Sequence, residues 1–89
     1  MSETEARIRD YLLRNYLFTD DQSKLDSGAS LLEKGIIDST GIMEVILFLE
    51  EEFGVVVEDD ELILENFDSV DNLVKFINAN QGSSGAKVT

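Results

Sequence analysis

Ser39 is the residue of this chain whose type and position are best suited to chemistry. It follows Asp38 directly and opens an apolar run. A serine at a helix start presents its hydroxyl where free backbone N–H groups and the positive end of the helix dipole favour an attached phosphate. The alternative is that the hydroxyl only caps the helix. Because the chain has no histidine or cysteine to activate a nucleophile, Ser39 is a candidate to receive a group from another enzyme.

Other catalytic and metal-binding patterns are absent from the sequence. A Ser-His-Asp arrangement needs histidine, and the G-x-S-x-G pattern fails because Ile37 occupies its first glycine position. No Gly-Lys-Ser or Gly-Lys-Thr of a P-loop occurs. An EF-hand loop starting at Asp20 needs glycine and glutamate where this chain has Leu25 and Leu31. We therefore expect that the chain is not an enzyme and binds no metal of its own.

The chain is short and strongly acidic. Its 89 residues suffice for one small domain, and 19 acidic against 7 basic side chains give a formal net charge of −12. Twelve of the acids lie within residues 38–74, a segment that has no lysine or arginine. Such a charge repels nucleic-acid phosphates and anionic lipid, so neither is an expected partner. The acidic segment is either a solvated surface or a docking face for basic proteins, and composition does not choose between them.

The sequence also bears on domain organisation and location. No run of about 18 apolar residues occurs, so we expect no membrane span. The first residues, MSETEARIRD, are polar and mixed in charge, which is not typical of a signal peptide. We expect a monomeric cytoplasmic protein with one domain over residues 1–80. Residues 81–89 are small, polar and Gly-rich, which predicts a disordered tail.

Three segments have the apolar spacing that is typical of amphipathic helices. They cover residues 4–18, residues 39–53 and a last stretch that ends at about Asn80. Gly54 stands where the second helix would end in a left-handed residue. The apolar faces are Ile8, Tyr11, Leu12 and Tyr16; Ile42, Val45, Ile46, Leu49 and Phe53; and Val70, Leu73, Val74 and Ile77. Off the first of these faces lie Arg7, Arg9, Asp10 and Arg14.

The remaining segments connect these helices. Residues 19–38 have no clean period, and their leucines and isoleucines predict a loop that packs across the core. Residues 55–57, three valines, predict a buried crossing segment. An acidic cluster then favours a short helix near 61–67, and Asp68 or Ser69 caps the last helix. The sequence thus predicts an all-α four-helix bundle with a short third helix and a long structured loop between helices one and two.

One flank of the second helix combines apolar residues with carboxylates. On a helical wheel, Thr40, Met43 and Leu47 lie off the core stripe, and Glu44 and Glu51 lie beside them. An apolar centre with a charged rim is typical of a protein–protein interface. These five residues are therefore candidates for partner binding. The alternative is that the methionine and the leucine pack under the long loop.

The segment from Leu31 to Phe53, LLEKGIIDSTGIMEVILFLEEEF, resembles the phosphopantetheine attachment region of the acyl carrier protein family. In that family an aspartate and a modified serine open the second helix, and a Glu-rich end precedes Phe-Gly. The length, acidity, helix order and long first loop are similar too, over about residues 4–80. Thr40-Gly41 departs from the leucine that most often follows the serine. This variant resembles stand-alone carriers of dedicated pathways, including aminoacyl carriers.

The resemblance implies a cofactor site at Asp38 and Ser39. Ser39 would receive 4′-phosphopantetheine from coenzyme A through a Mg²⁺-dependent phosphopantetheinyl transferase, and the arm's thiol would hold the cargo as a thioester. The other implied partners are an acyl- or aminoacyl-loading ligase and a downstream acyl transferase or synthase. The competing hypothesis is an unmodified acidic helical adaptor that binds a basic partner protein through the face of residues 38–51.

Overall fold

The computed structural model describes residues 3–88, with the side chains of residues 3–80. This described part of the chain is all-α, as predicted, with three α-helices and no strand. The helices are α1 (Glu3–Leu12), α2 (Ser39–Phe53) and α3 (Val70–Val88). Shorter helical turns connect them: a π-helical turn at Leu13–Leu17 and 3₁₀ turns at Gln22–Lys24, Asp59–Glu61 and Leu64–Phe67.

A shared apolar core holds the helices together. α3 packs against α1 and against the turn Leu64–Phe67, and the same turn contacts α2. Phe67 at the end of this turn is fully buried, and its ring meets that of Phe76 edge-on with the ring centroids 5.2 Å apart. The buried apolar side chains of the three helices are Ile8 and Leu12; Ile42, Val45, Ile46 and Leu49; and Val70, Leu73 and Ile77. Most members of the predicted apolar stripes therefore lie in the core, while four are only partly buried against it: Tyr11, Tyr16, Phe53 and Val74.

The first predicted helix, residues 4–18, is helical over nearly its whole length but is not an α-helix throughout. Its last part is the π-helical turn Leu13–Leu17, and the chain leaves this turn at Phe18. Phe18 has left-handed backbone angles, φ 55° and ψ 42°, and its N–H donates to the Leu13 carbonyl. The left-handed residue ends the helix as a glycine would. The long loop begins here.

Arg9 is buried, although it lies off the apolar stripe of α1. Only 6% of its surface is exposed. Its guanidinium donates to the Gln22 side chain at 2.8 Å and to Ser27 Oγ at 2.6 Å. It also donates to the backbone carbonyls of Gln22 and Leu25, both at 2.7 Å. Arg9 therefore fastens the first part of the loop to α1 and supplies a donor to the buried Leu25 carbonyl.

The loop over residues 19–38 packs across the core, as predicted. Its buried side chains are Leu25, Leu31 and Ile37. A second anchor lies at Asp68, whose carboxylate accepts from the Leu32 N–H at 2.9 Å and from Ser30 Oγ at 2.6 Å. The Asp68 carbonyl also accepts from the Leu31 N–H at 2.6 Å. Arg9 thus holds the loop at residues 22–27 and Asp68 holds it at residues 30–32, shortly before residues 35–38 lead into α2.

The predicted bounds of α2 are confirmed, because both of its ends have specific caps. At the N-terminus the Asp38 carboxylate accepts from the Gly41 N–H. At the C-terminus Gly54 adopts φ 68°, and its N–H donates to the Glu50 carbonyl at 3.0 Å. Contacts with α1 fix the position of α2: the rings of Tyr11 and Phe48 stack with centroids 4.0 Å apart.

Two predictions about the segment after α2 are wrong in part. Val55 is buried, but Val56 is 66% exposed, so the crossing segment is buried at its first residue and not along its length. No α-helix forms near 61–67; the 3₁₀ turns Asp59–Glu61 and Leu64–Phe67 lie there instead. The first turn begins with a capping box, in which the Glu61 side chain accepts from the Glu58 N–H at 3.0 Å. The chain then leaves the helical region at Leu62, with φ −76° and ψ 62°.

α3 is capped by Ser69, one of the two predicted caps. Ser69 Oγ accepts from the Asn72 N–H at 3.1 Å, while the Asp68 side chain is bonded to the loop. The predicted helix end near Asn80 is wrong, since α3 runs to Val88 and the chain has no proline to stop it. The prediction of a disordered tail over 81–89 concerns residues whose side chains lie outside the described ones, and it stays a prediction.

Candidate functional site

Asp38 caps α2, and Ser39 does not. The Asp38 carboxylate accepts a hydrogen bond from the Gly41 N–H at 2.7 Å. Ser39 is therefore the first residue of α2. It is exposed, and its hydroxyl bonds to no residue that the structure describes. The capping role that the sequence allowed for Ser39 is thus filled by its neighbour, and the serine hydroxyl is free to react.

The start of α2 also offers unused backbone donors. The first N–H groups of a helix have no intrahelical acceptor. The Asp38 side chain satisfies that of Gly41, whereas those of Ser39 and Thr40 donate to nothing within residues 3–88. An anionic group attached to Ser39 would lie close to these two donors and to the positive end of the α2 dipole.

Gly41 lets the long loop close onto the start of α2. A Cβ atom at this position would lie 3.2 Å from Ile37 Cβ, closer than ordinary packing contacts, and 3.4 Å from Asp38 Oδ1. Both Gly41 and Ile37 are buried, whereas Thr40 is exposed. Packing therefore explains the glycine of the Thr40-Gly41 pair, since Gly41 leaves space for Ile37 to pack against the start of α2.

The candidate partner face lies on the exposed side of α2. Met43 is 53% exposed and Leu47 is 58% exposed, so neither packs under the long loop. Thr40, Glu44 and Glu51 are exposed as well. The structure thus places these five residues on the solvent side of the helix that begins with Ser39. Their role in partner binding stays a prediction.

A second group of exposed apolar side chains lies between the two 3₁₀ turns that precede α3. Leu62, Ile63 and Leu64 are all exposed. The sequence analysis did not identify them, since it predicted only a short helix near 61–67. The turn that begins at Leu64 contacts α2.

Leucines 47 and 49 offer a matched test of which side of α2 is structural. Leu47→Ala should change the free energy of unfolding by less than about 0.5 kcal/mol, because the side chain is largely in solvent. Leu49→Ala should cost about 2–5 kcal/mol, because Leu49 is 0% exposed and its loss leaves a cavity. Urea denaturation followed by circular dichroism measures both. Equal losses in the two variants would show that Leu47 also supports the fold.

Glu44 is bonded to Tyr16, which the sequence placed only in an apolar stripe. The Tyr16 hydroxyl donates to Glu44 Oε1 at 2.7 Å. Burial, and then this hydrogen bond to a carboxylate, raise the pKa of Tyr16 above its ordinary value of 10.0. Glu44 is therefore not a free rim charge, since it ties α2 to the π-helical turn after α1. No sequence signal indicates a pair whose members are 28 residues apart.

The Tyr16–Glu44 bond predicts a loss of stability at alkaline pH. The unfolded chain loses the Tyr16 proton near pH 10, whereas the folded protein keeps it, so the free energy of unfolding should fall as the pH rises above about 10. The Tyr16→Phe variant has no proton to lose at this position. Its free energy of unfolding should therefore fall less steeply between about pH 9 and pH 11 than that of the parent. Urea denaturation at the two pH values tests this, and identical losses would contradict it.

A groove of about 580 Å³ lies beside Ser39. Its size is within the range of about 300–1,000 Å³ that is typical of ligand sites. The lining residues are Tyr16, Leu32, Gly35, Ile36, Ile37, Asp38 and Ser39. The groove thus joins the end of the first helical segment, the long loop and the start of α2. The sequence did not predict it, because it depends on where the loop is fastened.

Three further searches, for metal sites, membrane spans and family matches, gave no other indication of function. Within residues 3–88 no group of three or more acidic, histidine or cysteine side chains is placed to hold a metal ion. No helix in that range is long and apolar enough to cross a membrane. No known protein-family model matches the chain. The geometry around Ser39 is therefore the basis for assigning a function.

Proposed function

We propose that the protein is a carrier of the acyl carrier kind. Ser39 bears 4′-phosphopantetheine, and the protein shuttles acyl or aminoacyl cargo between partner enzymes of a biosynthetic pathway. The observation that carries the proposal is the exposed, unbonded Ser39 hydroxyl at the first position of a helix that Asp38 caps. The resemblance of residues 31–53 to the attachment region of that family supports the same conclusion.

Ser39 contributes its hydroxyl oxygen to the modification. In the transfer from coenzyme A, this oxygen bonds to phosphorus, the pyrophosphate linkage breaks, and adenosine 3′,5′-bisphosphate leaves. The transferase supplies the Mg²⁺ and the base that takes the hydroxyl proton, since the chain has no histidine and the Asp38 carboxylate is bonded to Gly41. The N–H groups of Ser39 and Thr40 then stabilise the attached phosphate. When bound, the arm supplies the thiol that holds cargo as a thioester.

The overall arrangement is that of a four-helix carrier domain over residues 1–80. In this proposal the two 3₁₀ turns before α3 take the place of the short third helix. Phe67 supports that assignment, because it is fully buried at the end of the second turn, which packs on both α2 and α3. The protein works as a monomer in the cytoplasm.

Partner enzymes dock on the exposed side of α2. Met43 and Leu47 provide an apolar centre one helical turn apart, and Glu51 provides a rim charge. The net charge of −12 favours partners with basic surfaces and speeds their encounter. Three kinds of enzyme use this face in turn: the phosphopantetheinyl transferase, the acyl- or aminoacyl-loading ligase, and the downstream acyl transferase or synthase.

Intact mass spectrometry tests the proposal. The purified protein is incubated with coenzyme A, Mg²⁺ and a phosphopantetheinyl transferase of broad specificity, and a parallel sample omits coenzyme A. We expect the mass of one phosphopantetheine to be added only when coenzyme A is present. The unmodified adaptor predicts no added mass in either sample. That outcome would overturn the carrier function and favour the adaptor.

A further inference from the structure

The groove beside Ser39 suits an amphipathic chain of modest width. Leu32 and Ile36 are half-buried and Ile37 is buried, so the loop contributes apolar side chains to a groove whose lining is mixed. Asp38 and Tyr16 add polar groups. A long alkyl chain would leave these polar groups against apolar surface. A chain that alternates methyl groups with amides would instead contact both the apolar side chains and the polar groups of the groove.

Backbone acceptors are available on the same wall. The N–H groups of Gly35 and Ile36 are bonded to the carbonyls of Leu32 and Leu31, which shapes the turn. The carbonyl oxygens of Gly35, Ile36 and Ile37 accept no hydrogen bond within residues 3–88. Three consecutive lining residues thus have carbonyl oxygens that are not used by the described part of the chain, and an N–H donor in the groove would find acceptors there.

Tyr16, which also lines the groove, is held in a fixed position. Its hydroxyl proton is used by the Glu44 carboxylate at 2.7 Å, and its ring lies edge-on to Tyr11 with the ring centroids 5.9 Å apart. The phenol oxygen still has a lone pair to accept a hydrogen bond. The Tyr16 oxygen is therefore a further acceptor for a ligand in the groove, and its hydroxyl is not a competing donor.

We propose that this groove binds the pantetheine part of the arm on Ser39, with Tyr16 as a positioning residue. The inference rests on the proposed function, and the continuity of the groove with the attachment point carries it, because Ser39 is itself a lining residue. The two amide N–H groups of pantetheine match the free carbonyls of residues 35–37. Its geminal methyl groups match the apolar side chains of Leu32 and Ile36. The arm therefore rests on the loop side of Ser39, away from Met43 and Leu47.

Nuclear magnetic resonance of the apo and arm-bearing proteins tests this placement. The chain is labelled at leucine and isoleucine methyl groups and at tyrosine rings, and mass spectrometry first establishes whether the arm is attached. We expect cross-relaxation between the geminal methyl groups of the arm and the signals of Leu32, Ile36 and Tyr16. Leu62 and Ile63 are the matched controls, since they are exposed but do not line the groove.

The three possible outcomes can be told apart. An attached arm with contacts to the groove signals, and none to the controls, supports the inference. An attached arm that leaves the groove signals at their apo positions overturns the inference and leaves the carrier function standing. Failure to attach the arm to the parent protein overturns the carrier function, and the inference with it.

Discussion

Arg9→Met should lower the free energy of unfolding by roughly 2 to 4 kcal/mol, because one buried acceptor left unpaired costs about 1–3 kcal/mol and the hydrogen bonds of a charged donor are lost as well. The change would leave the buried Leu25 carbonyl without its donor at 2.7 Å, whereas the Gln22 carbonyl would keep its bond from the Leu25 N–H at 3.2 Å. It would also remove the donor to Ser27 Oγ, which in turn donates to Glu5 Oε2 at 3.0 Å. Methionine retains much of the apolar stem, so the measured loss reports the polar contacts.

Arg14→Met is the matched control for this prediction. Arg14 lies on the same helical segment, but its partner is Asp10 at 3.0 Å, and their side chains are 75% and 58% exposed. An exposed pair of this kind contributes about 0–1 kcal/mol. Urea denaturation measures both variants with the same slope and midpoint analysis. A loss in Arg9→Met no larger than in Arg14→Met would show that Arg9 is dispensable for holding the loop.

Local signals were sufficient to predict the three helices. α2 has an apolar stripe of regular spacing, an aspartate that caps its start and a glycine that ends it, and all three act within a few residues of one another. The bounds 39–53 followed from these signals. The buried leucines of the loop could also be predicted, since apolar residues without a helical period still require burial.

Contacts between distant parts of the chain could not be predicted. Arg9 bonds to residues 13 and more positions away, and Asp68 reaches Leu32 across 36 residues. On a helical wheel Arg9 is simply a charged residue off the apolar stripe. Whether such a residue is solvated or buried depends on where the loop returns, which no local pattern contains. The 3₁₀ turns in place of a helix near 61–67 have the same origin, because burial of Phe67 fixes the backbone there.

The sequence was sufficient to propose Ser39 as the candidate site, but not to predict the structure around it. Ser39 was identified from its place after Asp38 at a helix start. That Asp38 provides the cap, leaving the serine hydroxyl free, needed the backbone geometry of residues 38–41. The groove could not be predicted either, because it depends on the positions of Tyr16 and the long loop. Glu44 fixes the first of these, and Asp68 and Arg9 fix the second.

Ser39→Ala should abolish modification completely and leave the fold intact. The hydroxyl is the only atom group removed, and it forms the ester bond in the proposed transfer. Stability should change by less than about 0.5 kcal/mol, because Ser39 is exposed and Asp38 keeps the cap. Asp38→Ala should instead cost about 0.5–2 kcal/mol through loss of the cap. Intact mass and urea denaturation of both variants separate the chemical role of Ser39 from the structural role of Asp38.

Thr40→Ala is the matched control for the loss of a hydroxyl. Thr40 is exposed and lies next to Ser39 on the same helix turn. We expect this variant to accept one arm, as the parent does. Modification that survives in Ser39→Ala and disappears in Thr40→Ala would move the attachment point to the threonine.

The most direct test of the carrier function is to locate the arm within the treated protein. The parent, incubated with coenzyme A, Mg²⁺ and the transferase, is digested and fragmented by tandem mass spectrometry so that residues 39 and 40 are resolved. We expect one phosphopantetheine, carried by Ser39. An arm found on another residue, or no arm on a folded parent protein, would contradict the carrier function proposed for Ser39.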